Sequence, residues 1–178
     1  MAAAIREATE EDYEELCEII GQVDGLHQGR LPQRFKVAAG PVRTWKFVLN
    51  AIRDPNVGLF VAESECRLAG FIHVIVRDTP DIPILVSRRY AVVDSLAVRE
   101  GMRRDGIGRA LMQRAHAWAQ ERGATSLELN VYAFNRPALA FYRELGYEIV
   151  SHRMSKSLHT PEPEARSGPG HGGSVDGR

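Results

Sequence analysis

The sequence has few cysteines, no excess of charge of either sign and no long apolar run. Its two cysteines, Cys17 and Cys66, are too few for a disulfide framework, and their spacing fits no metal site. The 23 basic and 23 acidic residues leave no net charge that would favour a nucleic acid or an anionic membrane as partner. No apolar run approaches the ~20 residues of a transmembrane helix, and the acidic start is unlike a signal peptide. These absences predict a cytoplasmic protein that binds no metal, no membrane and no nucleic acid.

Length and composition predict one domain followed by a tail. The 178 residues are enough for a single α/β domain with a sizeable core. Residues 159–178 hold five glycines and three prolines but no Leu, Ile or aromatic residue. Such a segment cannot bury enough apolar surface to offset its ordering entropy. We therefore expect a domain over residues 1–158 and a disordered tail over residues 159–178.

The first half of the chain predicts a strand, two helices and a β-hairpin. Thr9 and Asp12 have the spacing of a capping box at the start of the first helix. The second helix is expected to have Pro41 in its first turn and to end at residues 54–56. Periodicity predicts a strand at 3–8, an irregular connection at 21–40 and a hairpin of 57–63 and 68–76. The first helix, between the strand and the connection, has its apolar stripe at Tyr13, Leu16, Cys17 and Ile20. The second helix, between the connection and the hairpin, has its stripe at Trp45, Val48, Leu49 and Ile52.

The second half predicts a crossover between two parallel strands. Residues 89–98 form a strand, a glycine-rich loop follows, and residues 127–132 form the next strand. Asn135 is expected to cap a short helix over residues 136–145. Residues 147–158 are expected to close the domain as a strand or hairpin. The helix between the two parallel strands has its buried stripe at Ile107, Leu111, Ala115, Trp118 and Ala119, with Gly123 as its C-cap.

The glycine-rich loop predicts a binding site for a phosphorylated ligand. Arg99, Arg103 and Arg104 precede Gly108 at the start of a helix. A helix N-terminus leaves backbone N–H groups unpaired and carries partial positive charge, and glycine lets a ligand approach the backbone closely. This combination suits a diphosphate or triphosphate. The alternative is a structural turn whose arginines face water.

Two common nucleotide motifs do not fit this loop. Gly101 and Gly106 have the spacing of a Walker motif, but Ile107 and Gly108 stand where Lys and Ser or Thr are needed. A dinucleotide-binding fingerprint would need a third glycine at position 111, which is Leu111.

A third pattern fits. Arg103-x-x-Gly106-x-Gly108, directly after a strand and opening a helix, resembles the acetyl-CoA signature of the GNAT superfamily of N-acetyltransferases. The block "SLELNVYAFNRPALAFYRELGYE" at residues 126–148 resembles the superfamily's second motif, and the order of the earlier elements agrees. The resemblance implies the GNAT fold, a mixed α/β sheet in which two central parallel strands splay apart. It identifies no subfamily.

The resemblance also implies the residues that bind acetyl-CoA. The backbone of residues 96–98 would pair with the pantetheine arm, and the amides of residues 103–109 would hold the pyrophosphate. Asn135 would reach the pantetheine or thioester region, and Tyr142 would face the sulfur. The implied cofactor-binding residues are Leu96, Ala97, Val98, Arg103, Arg104, Asp105, Gly106, Ile107, Gly108, Arg109, Asn135 and Tyr142.

The implied reaction is direct attack of an amine on the thioester, which needs a proton acceptor and a proton donor. Asp94 is the first choice as base and Tyr142 as acid, while a structural Asp and an ordinary core Tyr remain the alternatives.

His27 and Phe35 are candidates for the acceptor pocket, and His73 is expected to face one side of the hairpin. The net positive charge of residues 21–40 favours a small amine over a polyamine. A protein acetyltransferase, a non-catalytic acyl-CoA sensor and a homodimer stay open.

Overall fold

The computed structural model describes residues 3–37, 39–41, 43–156 and 158. A 3₁₀ turn at Glu10–Asp12 leads into the first long helix. The Asp12 carboxylate accepts a hydrogen bond from the Thr9 backbone N–H at 2.7 Å, so the predicted capping box is present. The strands and helices are β1 (Ala4–Glu7), α1 (Tyr13–Arg30), α2 (Trp45–Arg53), β2 (Val57–Ser64), β3 (Arg67–Asp78), β4 (Arg89–Val98), α3 (Ile107–Glu121), β5 (Leu127–Leu129) and α4 (Arg136–Glu144).

The five strands form one mixed sheet in the order β1-β2-β3-β4-β5, and only the β4–β5 pair is parallel. Neighbouring residues of β2 serve opposite faces, as strand geometry requires. Val61 packs in a cluster with residues of α1 and α2, whereas the Phe60 ring meets Trp118 of α3 with centroids 6.2 Å apart. The sheet is therefore covered by α1 and α2 on one face and by α3 on the other, which confirms the predicted architecture.

Helix α1 is longer than the sequence predicts. Residues 21–30 continue the helix to Arg30, so the expectation of an irregular connection over all of residues 21–40 is wrong. Gly21, Gly25 and Gly29 suggested a loop because each glycine costs roughly 1 kcal/mol in a helix. None of residues 21–30 is buried, but Val23 packs against the core, and the first proline after the helix starts is Pro32.

Helix α2 starts later than the sequence predicts. Pro41 lies outside the helix, which begins at Trp45, and the N-cap is Thr44, whose Oγ1 accepts a hydrogen bond from the Phe47 N–H at 3.2 Å. The predicted stripe is also only partly right. Val48 is buried, but Trp45 is exposed, and Ala51 takes a buried position instead.

The closing strand is not found. Residues 147–156 and 158 contain no helix or strand, so the sheet ends at β5 within the described part of the chain. Packing divides the chain into a unit Met1–Gly146, which holds every helix and strand above, and a second unit from Tyr147. The tail predicted for residues 159–178 lies outside the described residues. No helix of the described chain is both long and apolar enough to cross a membrane.

Strand β4 has a bulge where it leaves β5. On the β3 side, His73 pairs with Ser95 and Val74 pairs with Val93, so Asp94 is the extra residue. On the other side, the pairing with β5 stops at Val93 and Leu129, although β4 runs on to Val98. The splay between the two parallel strands therefore begins at Asp94.

Candidate active site

The free edge of β4 is the first component of the site. Leu96, Ala97 and Val98 pair with β3 on one side only. In the described chain no strand pairs with these residues on the side where β5 has ended. This edge therefore offers main-chain N–H and C=O groups to an extended ligand, in the manner of strand addition.

The loop after β4 makes a concave turn of backbone into α3. Gly101, Arg104 and Gly106 all have positive φ, at 88°, 80° and 81°. A left-handed conformation suits glycine but strains an arginine. Gly106 is the N-cap of α3, and the N–H groups of residues 106–109 have no hydrogen-bond acceptor among the described residues. Unpaired N–H groups at a helix N-terminus form a site for an anion.

The arginines near this loop differ in their contacts. The Arg104 side chain is exposed and has no partner in the described part of the chain, so it is available to a ligand. Arg103 donates from Nε to the Val98 carbonyl at 3.1 Å, and Arg109 lies 3.8 Å from Glu144.

Arg99 is a structural residue, although the sequence groups it with the loop arginines. It is buried, and its guanidinium donates to the Leu68 carbonyl at 2.9 Å, to Glu18 at 3.0 Å and to Glu15 at 3.1 Å. These contacts tie the end of β4 to α1.

Helix α4 packs beside the loop. A Cβ placed on Gly108 would lie 3.4 Å from Phe141 Cζ and 3.7 Å from Val98 Cγ2, so α3, α4 and β4 converge there. Asn135 is the N-cap of α4, since its Oδ1 accepts from the Ala138 N–H at 3.2 Å. Tyr142 follows Phe141, with the two ring centroids 5.3 Å apart. Burial raises the pKa of Tyr142 to about 12.

A cavity opens on the other side of the bulge, beneath α1 and α2. It is small and open: its interior has room for about 20 Å³ of solvent, and the 340 Å³ of empty space between its walls includes open solvent. The apolar lining comes from both helices and from strands β2 and β3, and Arg43 and Ser95 also line it. Asp94 is the one carboxylate among the lining residues, and His73 lies beside it. The apolar lining residues are Leu16, Ile20, Phe47, Val48, Ala51, Leu59 and Phe71.

His73 and Asp94 form a hydrogen-bonded pair in this cavity. The His73 Nδ1 lies 3.1 Å from Asp94 Oδ2, and Ser95 Oγ donates to the same oxygen at 3.4 Å. The hydrogen bond from His73 holds the pKa of the Asp94 carboxyl below its ordinary value, although partial burial acts in the opposite direction. The sequence pattern placed His73 on one face of the hairpin but gave no sign of its partner. The sequence offered only one sign of such a pair, which is a histidine within the otherwise apolar strand β3.

His27 and Phe35 lie elsewhere. Their rings stack with centroids 5.3 Å apart, and both contact Tyr132, which follows β5. Phe134 completes this aromatic cluster by stacking on Tyr132 at 5.4 Å. None of the four lines the cavity described above. Their part in acceptor binding stays a prediction. No cluster of His, Cys, Asp and Glu with metal-binding geometry occurs among the described residues.

The sequence model of the Acetyltransferase (GNAT) family matches residues 4–147, which include every strand and helix of the sheet and the whole candidate site. The chain belongs to the GNAT family. It is therefore an acetyltransferase of a family that takes its acetyl group from acetyl-CoA.

Two relatives agree with this assignment. An N-alpha-acetyltransferase of Sulfurisphaera tokodaii is 31% identical over 74% of this chain and 75% of its own length. An uncharacterized N-acetyltransferase of Methanocaldococcus jannaschii is 34% identical over 58% of this chain. The match spans only 44% of the length of the Methanocaldococcus protein.

Solved structures agree at the level of the fold. A mutant of the BH1408 protein from Bacillus halodurans superposes with a TM-score of 0.84 at 27% identity, covering 88% of this GNAT chain and 99% of that chain. An aminoglycoside N-acetyltransferase, AAC(6')-Iy in complex with CoA, gives a TM-score of 0.64 at 14% identity, covering 88% of this chain and 100% of that one.

Proposed function

We propose that this GNAT protein transfers an acetyl group from acetyl-CoA to the primary amine of a small molecule, by direct attack of the amine. The bulge at Asp94 carries this proposal. Within residues 94–98, β4 leaves β5, exposes a free backbone edge and contributes a carboxylate to a cavity. A donor and an acceptor can therefore meet at one point of the same strand.

The residues present fit acetyl-CoA. The free edge at residues 96–98 suits the amide groups of an extended pantetheine arm, and the unpaired amides of residues 106–109 suit a pyrophosphate. Arg104 adds positive charge beside those amides without an intramolecular partner in the described chain. When bound, acetyl-CoA supplies an acyl group activated as a thioester. The structural similarity to a CoA-bound aminoglycoside acetyltransferase supports the same fit.

The acceptor must lose a proton before it can attack. An alkyl amine with a pKa near ~10.4 is neutral in only roughly one molecule in a few thousand at pH 7. Asp94 and its hydrogen-bond partner His73 both line the cavity at the bulge, which supports a role for this pair in accepting that proton. A main-chain N–H of residues 96–98 would donate to the oxygen on which negative charge develops.

Tyr142 suits the leaving sulfur as a hydrogen-bond donor. With its pKa raised to about 12, it keeps its proton throughout the neutral range. A thiol titrates near ~8.5, so complete transfer from Tyr142 to a free thiolate would be uphill by about 5 kcal/mol. We therefore assign Tyr142 to stabilising the sulfur's charge as the C–S bond breaks, with the hydroxyl proton staying shared.

Charge at the cavity favours an acceptor with a single amine and an apolar body. The cavity walls are apolar except for its His–Asp pair, Ser95 and Arg43. Two acids from other parts of the chain could have added negative charge at the cavity, but both form ion pairs. Glu63 pairs with Arg6, and Asp78 pairs with Arg89. A polycation would meet one carboxylate and one guanidinium, which gives it little electrostatic preference.

A protein N-terminus is the second candidate acceptor. The Sulfurisphaera relative is named an N-alpha-acetyltransferase and aligns with three quarters of its own length. A free protein N-terminus also presents a single primary amine. A non-catalytic sensor is less well supported, because a sensor has no need of Tyr142 or of the pair at the bulge.

Two measurements test the proposal. Acetyl-CoA at a hundredfold over its Kd should add about 2.7 kcal/mol of stability, or roughly 5–10 °C in Tm for a domain of this size. Thiol release should then be followed with single amines, amino acids, spermidine and short peptides. No shift at millimolar acetyl-CoA would refute the proposal, a shift without thiol release would indicate a sensor, and spermidine as best acceptor by tenfold would refute the charge argument.

A further inference from the structure

His73 is set up as a proton acceptor by its hydrogen bond to Asp94. The side chain is 9% exposed, and its Nδ1 lies 3.1 Å from Asp94 Oδ2. An ionised carboxylate only accepts hydrogen bonds, so the proton between them belongs to Nδ1. A neutral imidazole with its proton on Nδ1 has a lone pair on Nε2. The carboxylate thus fixes the tautomer, as it does for histidines in other catalytic sites.

The Nε2 atom of His73 keeps contact with solvent. It has no hydrogen-bond partner in the described part of the chain. Every fully buried side-chain nitrogen or oxygen in that part has a partner, so Nε2 is not fully buried. His73 lines the cavity, and we therefore place this contact at the cavity.

Few charges surround the ring. Asp94 on β4 touches it, and Arg43, which precedes α2, lines the same cavity. Asp24 on α1 is held by Arg43 at 3.4 Å. The other neighbours are uncharged: Leu59 lies opposite on β2, Ser95 on β4, and the Phe47 ring of α2 meets the imidazole edge-on with centroids 6.0 Å apart. Leu16 and Ile20 of α1 line the same cavity.

We propose that Nε2 of His73 accepts the proton of the acceptor amine, directly or through one water, and that Asp94 is a positioning residue for that imidazole. The inference rests on the acetyl transfer proposed above. Asp94 itself is a weaker candidate for the proton acceptor. Hydrogen bonds from His73 and Ser95 favour its ionised form, which makes the carboxylate a weaker base. Proton transfer is most effective when the acceptor titrates near the working pH, and histidine is the side chain that ordinarily does so.

The step balances in protons and electron pairs. The ammonium form of the acceptor gives one proton to Nε2, and the neutral amine forms the C–N bond to the acetyl carbon. The C–S bond breaks and its electron pair leaves with the sulfur. The nitrogen's second proton passes to the sulfur, which gives an amide and a thiol. The imidazolium then releases its proton to water, while the Asp94 carboxylate stays ionised throughout.

The test is the pH dependence of kcat/KM with the full chain and an amine that titrates above pH 9, measured from pH 5 to 8.5. We expect the unmodified protein to show an acid limb that levels off. His73→Asn keeps an N–H donor for Asp94 but has no basic nitrogen. It should lose about 10²–10⁴-fold at pH 7. Its kcat/KM should then rise tenfold per pH unit through the whole range, because only amine that is already neutral reacts.

Asp94→Asn is the matched variant. It leaves the imidazole in place but removes its positioning partner, so the rate should fall while the acid limb remains. An unmodified profile without an acid limb above pH 5, replaced by a rise of tenfold per pH unit in Asp94→Asn but not in His73→Asn, would make Asp94 the base and overturn the inference. If His73→Asn does not fold, the profile of Asp94→Asn decides between the two in the same way.

The acetyl-CoA thermal shift distinguishes a failure of the proposed function from a failure of this inference alone. Each variant should keep it, since neither residue lies on the loop at residues 99–106. An unmodified protein that releases no thiol with any amine would overturn the proposed function and this inference together. Normal turnover with an unchanged profile in His73→Asn would overturn this inference alone.

Discussion

Strand β4 separates the proposed donor side from the proposed acceptor side. The donor side comprises the free edge at residues 96–98, the following loop and the start of α3, and it offers mainly backbone groups. The acceptor side is the cavity beneath α1 and α2, and it is built from side chains of four elements and the link before α2. Backbone groups bind the same ligand whatever side chains surround them, whereas a cavity changes with every residue that lines it. The donor is therefore easier to assign than the acceptor.

The largest effect is expected from Tyr142→Phe, which tests whether the donor side contributes a side chain to the chemistry. Losing the hydroxyl should lower kcat by about 10²–10³-fold, the usual range for one hydrogen-bond donor to charge that develops in the transition state. The acetyl-CoA thermal shift should not change, because the ring is retained. Because the pKa of Tyr142 is raised to about 12, its ionisation should leave the rate profile unaffected below pH 10. Full activity in Tyr142→Phe would return this residue to a packing role.

Phe47→Ala should affect the acceptor side alone. Phe47 is 42% exposed and lines the cavity, so its truncation costs little stability but removes an apolar wall. We expect KM for the best amine to rise about tenfold, the scale of one lost apolar contact, with the acetyl-CoA shift retained. Phe134→Ala is the matched control, an aromatic truncation outside the cavity. If Phe134→Ala raises KM more than Phe47→Ala does, the acceptor binds at the aromatic cluster.

Arg104→Gly should give the smallest effect and separate stability from binding. Glycine relieves the positive φ of 80° at this position. We expect a gain of about 1 kcal/mol in the free energy of unfolding. The lost charge should weaken acetyl-CoA binding several-fold. Denaturant unfolding and calorimetric titration measure the two quantities. An unchanged affinity would mean that Arg104 serves the loop only as a solvated side chain.

Local sequence signals predicted the backbone around the proposed donor side. Gly106 and Gly108 flank Ile107, the first residue of an apolar helical stripe, and the start of α3 and the parallel β4–β5 pair follow the prediction. Errors arose where packing outweighs local preference. Helix α1 runs through three glycines: Leu16, Ile19 and Ile20 are buried just before them, and Val23 packs against the core. Residues 147–158 have an apolar pattern that suits a strand, but no strand forms in the described part.

Of the residues in the cavity, the sequence singled out Asp94 but not its partner His73 or the other walls. His73 and Asp94 are 21 residues apart, and they meet because β3 and β4 pair and a bulge adds one residue. A bulge changes which residues face one another, and nothing in the local sequence marks it. Arg43 and Phe47 reach the same cavity from a third part of the chain.

The Arg99 side chain joins the two sides mechanically. It lies where β4 ends and the glycine-rich loop begins, and it donates to two glutamates of α1, which lines the cavity. We therefore expect a ligand that displaces the loop to displace α1 as well, which would give the two binding equilibria a coupling free energy. Such coupling is reciprocal: the factor by which bound acetyl-CoA changes amine affinity equals the factor by which bound amine changes acetyl-CoA affinity. Cutting this link by Arg99→Met should bring that factor towards one, so that the two substrates bind independently and in either order.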